Sequence, residues 1–99
     1  MARKKMKFSR YDVADYLKSE EELAAYLSAC MDEAGDDAAC IAAALGDVAR
    51  ARGMGQLARD TGISREGLYE ALSSDGNPSL ATVLRVLKAL GLKLGAEVA

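Results

Sequence analysis

The chain has 99 residues, 51% hydrophobic and only 5% aromatic, with no histidine and a formal net charge of −2. That length allows one domain with an extension, and a core drawn from Ala, Leu and Val points to packed helices. No apolar run approaches the ~20 residues of a membrane helix, and "MARKKMKFSR" has no apolar stretch behind it, so neither a membrane span nor a secretory leader is expected.

The net charge conceals three unlike segments. Residues 1–10 carry Arg3, Lys4, Lys5, Lys7 and Arg10 and no acid. Residues 11–37 carry nine acids against Lys18 alone, and residues 38–99 are close to balanced. Acidity in the second segment therefore says little about what the third can bind. Cys30 and Cys40 match no zinc or redox spacing, and without histidine no metal or other cofactor is expected. Free thiols in helical patterns behave as small apolar residues, which fits a reduced, cytoplasmic protein.

Along the chain, Tyr11–Leu17 has the pattern of a short helix. Ser19 then precedes three glutamates, with Glu22 at the spacing of a capping box. Leu23, Leu27, Cys30 and Met31 continue as an amphipathic stripe, and Gly35 is expected to end that helix in a left-handed conformation. Asp36 or Asp37 caps the next helix, whose Ile41, Leu45 and Val48 face inward. Arg50 and Arg52 suit its C-terminal dipole, and Gly53 stops it.

A short helix is predicted over Gln56–Thr61, with Leu57 and Ala58 inward and Gly62 as terminator. Ser64 caps a further helix from Arg65 to about Leu72, with Leu68, Ala71 and Leu72 toward the core. "SSDGNP" reads as a turn. Ser79 caps a last helix with Leu80, Val83, Leu84, Leu87 and Leu90 on its apolar side, ended by Gly91. Leu92–Leu94 is a weak strand candidate. The resulting organisation is a basic arm (1–10), a helical extension (11–35), a helical domain (36–92) and a tail (93–99).

Two short helices joined by about three residues have the form of a helix-turn-helix. Ala58 lets the second helix approach, Gly62 supplies the positive φ of a tight turn, Ile63 plugs the core beneath it, and Ser64 caps the second helix. The polar side of that helix, through Arg65, Glu66, Tyr69 and Glu70, is free to enter a major groove. The same spacing also occurs in helical hairpins that bind nothing.

The segments "ALGDVARARGM", "QLARDTGISREGLYEALS" and "GNPSLATVLRVLKALGL" resemble the probable addiction-module antidote proteins, and the upstream "FSRYDVADYLKSEEELAAYLSACMDE" resembles the opening of that family. One departure is Gly55, where a Ser or Thr cap is expected. The resemblance implies an all-α, λ-repressor-like (Xre-type) helix-turn-helix bundle with an N-terminal helical extension. It further implies a cytoplasmic, dimeric antitoxin that neutralises a small RelE-like toxin and represses its own operon through double-stranded operator DNA. By the pattern of that fold, Ser64, Arg65, Glu66, Tyr69 and Glu70 face bases, and Gln56 and Asn77 to Ser79 face phosphates. No membrane and no small-molecule substrate is implied.

Each residue also has a plainer role. Arg65 suits guanine, whose O6 and N7 accept two parallel bonds, yet it is also an ordinary solvated first-turn residue. Ser64 serves as a cap whether or not it touches DNA. Glu66 favours the dipole at its helix N-terminus, whereas Glu70, one turn on, gains nothing there and either reads DNA, holds Arg65 or Arg59, or excludes unsuitable sequences. Tyr69 offers a flat face to a thymine methyl or partial burial in the core. Arg50, Arg52, Arg59, Arg85 and Lys88 supply the remaining positive field. The acid-rich helix is either a solvated face or a decoy for a basic toxin. Three alternatives compete with the antitoxin: a phage or mobile-element repressor without a toxin, a protein-interaction module whose helix-turn-helix no longer binds DNA, and, least supported in a histidine-free chain, an enzyme.

Overall fold

The computed structural model describes residues 19–99, so the basic arm and the helix expected over Tyr11–Leu17 lie outside the described residues. Five helices and no strand make up this region: α1 (Glu20–Ala34), α2 (Ala38–Arg52), α3 (Met54–Thr61), α4 (Arg65–Ala71) and α5 (Leu80–Ala89). The weak strand candidate at Leu92–Leu94 is instead irregular chain.

Local chemistry fixes most helix ends. At α1 the Ser19 amide donates to Glu22 Oε1 (3.0 Å) and the Glu22 amide donates to Ser19 Oγ (3.1 Å), which completes the capping box. Asp37, and not Asp36, caps α2 by accepting from the Cys40 amide at 3.2 Å. Gly35 does end α1 with positive φ, but at φ 63° and ψ −114° it lies outside the left-handed helical well. At the end of α5 the Gly91 amide donates to the Lys88 carbonyl and the Leu92 amide to the Leu87 carbonyl. With Gly91 at φ 81°, this is a Schellman cap.

The core is aliphatic: Leu23 and Leu27 of α1, Leu45 and Val48 of α2, Met54 and Leu57 of α3, Leu68 and Leu72 of α4, and Val86, Leu87 and Leu90 at the end of the chain. α1 lies along α2, while α3 packs against α2, α4 and α5 and so occupies the centre. Two sequence expectations change. α3 starts at Met54, two residues early, because Gly53 and not Gly55 is its N-cap and Met54 is drawn into the core. On α5 the inward residues are Val86, Leu87 and Leu90, with Val83 partly covered. Leu80 (64% exposed) and Leu84 (45%) face outward. The helix carries more apolar surface than the core can accept.

α2 also contains a buried acid that periodicity did not reveal. Asp47, 8% exposed, sits between the core residues Leu45 and Val48. It accepts from the Tyr26 hydroxyl of α1 and from Arg50 Nη2, both at 2.8 Å. A buried carboxylate without donors costs several kcal/mol, so these bonds dictate how α1 sits on α2. Burial, reinforced by the adjacent Asp47 carboxylate, pushes the Tyr26 phenol far above its ordinary value. The neighbouring residue, Gly46, packs directly on the Leu72 carbonyl: a Cβ there would fall well inside van der Waals contact with that oxygen. α2 therefore holds α1 through Asp47 and the end of α4 through Gly46.

Candidate nucleic-acid interface

The connection from α3 to α4 is three residues long and heavily braced. Gly62 adopts φ 76° and ψ 12°, a left-handed conformation that costs a glycine nothing, and its amide donates to the Ala58 carbonyl at 2.9 Å. Thr61 Oγ1 donates to the Leu57 carbonyl (2.8 Å) and accepts from the Ile63 amide (3.2 Å), spanning the corner from inside. Ile63 is partly buried against the core. Ser64 has extended backbone, and its Oγ accepts from the Gly67 amide at 3.0 Å, the capping bond that starts α4.

α4 is anchored on one side and bare on the other. Leu68 and Leu72 are fully buried, Ala71 is partly so, and the Leu72 carbonyl rests on Gly46. Beyond it the Ser73 hydroxyl donates to the Glu70 carbonyl at 3.0 Å. Ser64, Arg65, Glu66, Tyr69 and Glu70 are all exposed. In a helix these positions form two adjacent rows, so they share one continuous outer surface. Among the described residues the side chains of Arg65, Glu66, Tyr69 and Glu70 make no hydrogen bond or ion pair. Glu70 therefore holds neither Arg65 nor Arg59. Tyr69 is 45% exposed, which leaves much of its ring to solvent.

The residues expected to face phosphates are arranged differently from one another. Gln56 is exposed on the first turn of α3 and already bonded on both sides: Arg59 Nη2 donates to its Oε1 (2.8 Å) and its Nε2 donates to Asp60 Oδ1 (2.9 Å). It thus fixes the Arg59 guanidinium, a stronger phosphate partner than the amide itself. Asn77 is exposed in the turn before α5. Ser79 is occupied as the α5 cap, its Oγ accepting from the Thr82 amide and donating to Thr82 Oγ1, both at 3.1 Å. What α5 still presents at that end is its unsatisfied first amides.

Sequence reasoning missed Gly46, on which the end of α4 rests, and Asp47, which bridges Tyr26 of α1 and Arg50 of α2. A signal was present, since "LGDV" sets an acid and a glycine inside a run of core positions. The other cations do ordinary work as well: Arg52 lies 3.6 Å from Glu20 and reaches toward the Leu90 carbonyl. No group of His, Cys, Asp and Glu able to hold a metal occurs among the described residues, and no described helix is long and apolar enough to cross a membrane.

These features define a small all-helical protein that displays a short, unpartnered polar helix on a rigid apolar base. Comparison with known proteins is consistent with that class. The model of the family described as "probable addiction module antidote protein" matches residues 7–98, and the chain belongs to that family. A Haemophilus influenzae protein described as "Uncharacterized protein" is 58% identical over 83 residues, covering 84% of each chain. No solved structure matches. Antidote families are generally non-enzymatic, and membership in one implies a cognate toxin as partner.

Proposed function

We propose that this protein is a cytoplasmic, homodimeric antitoxin that neutralises a RelE-like toxin and represses its own operon by binding operator DNA. In this reading α3, the turn and α4 form an Xre-type helix-turn-helix, and α4 enters the major groove. Arg65 donates two parallel bonds to a guanine, and Tyr69 packs on a thymine methyl. Glu66 and Glu70 accept from cytosine N4 or reject sequences that present acceptors. Ser64 closes the helix start at the groove edge. Gln56 with Arg59, and Asn77 with the amides behind Ser79, hold phosphates to either side and set the register.

The observation that carries the reading is α4 itself: a capped, anchored helix whose outer side chains have no partner in the chain. The two buried leucines fix which side of the helix faces out, so these side chains are presented in one orientation and are free to take a partner. The opposing observation is that α4 carries two acids and no lysine. A protein-interaction module therefore remains the second reading, with α4 contacting a basic protein surface.

A mobility-shift titration of the full chain on the DNA upstream of its own gene separates them. The proposal expects a specific complex that weakens steeply with salt, as counterion release requires. A protein that binds this DNA no better than scrambled DNA at any salt concentration leaves only the interaction module. Co-expression with the neighbouring gene product tests the antitoxin part independently of DNA.

A further inference from the structure

Large apolar side chains exposed among the described residues are few, and four of the five fall in two places. Leu80 and Leu84 lie one turn apart on the outside of α5, and Leu94 and Val98 lie in the tail that follows it. The charges beside these two apolar pairs are of opposite sign. The outer side of α5 continues into Arg85 and Lys88, neither of which has an ion-pair partner among the described residues. These two bases line a cleft of about 430 Å³ with Asp60, Thr61 and Ala89, and the Asp60 carboxylate is already bonded to Gln56. The tail carries Glu97 between its apolar residues. The outer face of α5 is apolar and basic; the tail has Lys93 at its base and, in the stretch from Leu94 to Val98, the single charge of Glu97.

The tail does not satisfy α5 of its own chain. The Schellman cap at Gly91 turns the backbone across the end of the helix, where Leu92 folds onto the core. From Lys93 onward every residue is exposed, and Val98 is completely so. An apolar helix face and an apolar segment that stay apart within one chain can meet between two. A two-fold axis then makes each contact twice.

We propose that two copies of this chain associate with the tail of each laid on the outer face of the other's α5. Leu94 and Val98 cover Leu80 and Leu84, and Glu97 pairs with Arg85 and Lys88. The inference rests on the dimeric part of the function proposed above and names its surface; it does not depend on DNA binding.

The test is sedimentation velocity of the full chain without DNA across the micromolar range. The wild type is expected to sediment at twice the 10.4 kDa chain mass. Leu84→Glu and, separately, Leu80→Glu should weaken association more than about tenfold, since each desolvates poorly in two symmetric contacts. Both positions are exposed, so circular dichroism should show an unchanged fold. Glu97→Lys and the pair Arg85→Glu with Lys88→Glu should each weaken association several-fold, and combining all three should restore it. A monomeric wild type overturns the proposal, as does a dimer indifferent to both leucine variants. Charge reversals that fail to rescue one another overturn the tail as the occupant. Because no DNA is present, failure of operator binding leaves these outcomes unaffected.

Discussion

Replacing Gly46 by alanine tests the packing that places α4. Gly46 lies inside α2, away from either end and without positive φ. On backbone grounds alone, alanine there should stabilise the helix by about 1 kcal/mol. The structure gives the opposite sign. The added Cβ would collide with the Leu72 carbonyl, which is backbone and cannot swing aside. α2 and the end of α4 must then separate, and overpacking of this kind costs about 1–3 kcal/mol. The repulsion should outweigh the propensity gain and leave a net loss on the order of 1–2 kcal/mol, or a fall in Tm of about 4–8 °C for each kcal/mol in a domain of this size. Gly55→Ala is the internal control, because a Cβ there meets nothing within 4 Å, and it should be neutral or slightly stabilising. Urea denaturation followed by far-UV circular dichroism measures both. If Gly46→Ala proves as stable as the wild type, the close approach of α2 to α4 is wrong.

Tyr26→Phe should cost roughly 1–3 kcal/mol near neutral pH, because the buried Asp47 loses a donor. The raised Tyr26 pKa adds a pH signature. Its stabilisation is complete below the unfolded phenol value of about 10 and is lost as pH rises beyond it, so wild type and Tyr26→Phe should converge in alkaline denaturation series. With a maleimide reagent at mildly alkaline pH, exposed Cys40 should label well before half-buried Cys30, whose thiol burial pushes upward; mass spectrometry of timed samples reads the order. Ser64→Ala removes the α4 cap and should lower stability by about 1 kcal/mol in the same urea assay.

The helices were legible because their ends are written in local chemistry: Ser19 with Glu22, Asp37, Ser64 and Ser79 each do at their caps what their side chains predict. The surface of α4 was legible for the same reason, since Leu68 and Leu72 leave Arg65, Glu66, Tyr69 and Glu70 on the other side. Errors came where tertiary partners decide. Leu80 and Leu84 fit the helical period as well as Val86 does, and only the position of α3 against α5 determines which are covered. Met54 extends α3 because the core has room for it, which sequence spacing cannot express. Asp47 is acidic in a buried register because Tyr26, 21 residues earlier, and Arg50 meet it there. Gln56, expected to face phosphate, is tied to Arg59 and Asp60 by its own side chain.

The DNA reading proposed for α4 turns on Arg65, and fluorescence anisotropy at fixed salt is its sharpest test. Wild type and Arg65→Ala are titrated against the upstream DNA of the gene and against a scrambled duplex. Arg65→Ala is expected to lose about 1–3 kcal/mol of affinity for the specific site, relax selectivity at one base pair, and keep its weak binding to scrambled DNA. Equal loss on both duplexes would reduce Arg65 to a phosphate contact. An Arg65→Ala protein that binds its upstream site as tightly and as selectively as the wild type would show that α4 does not read DNA through this residue.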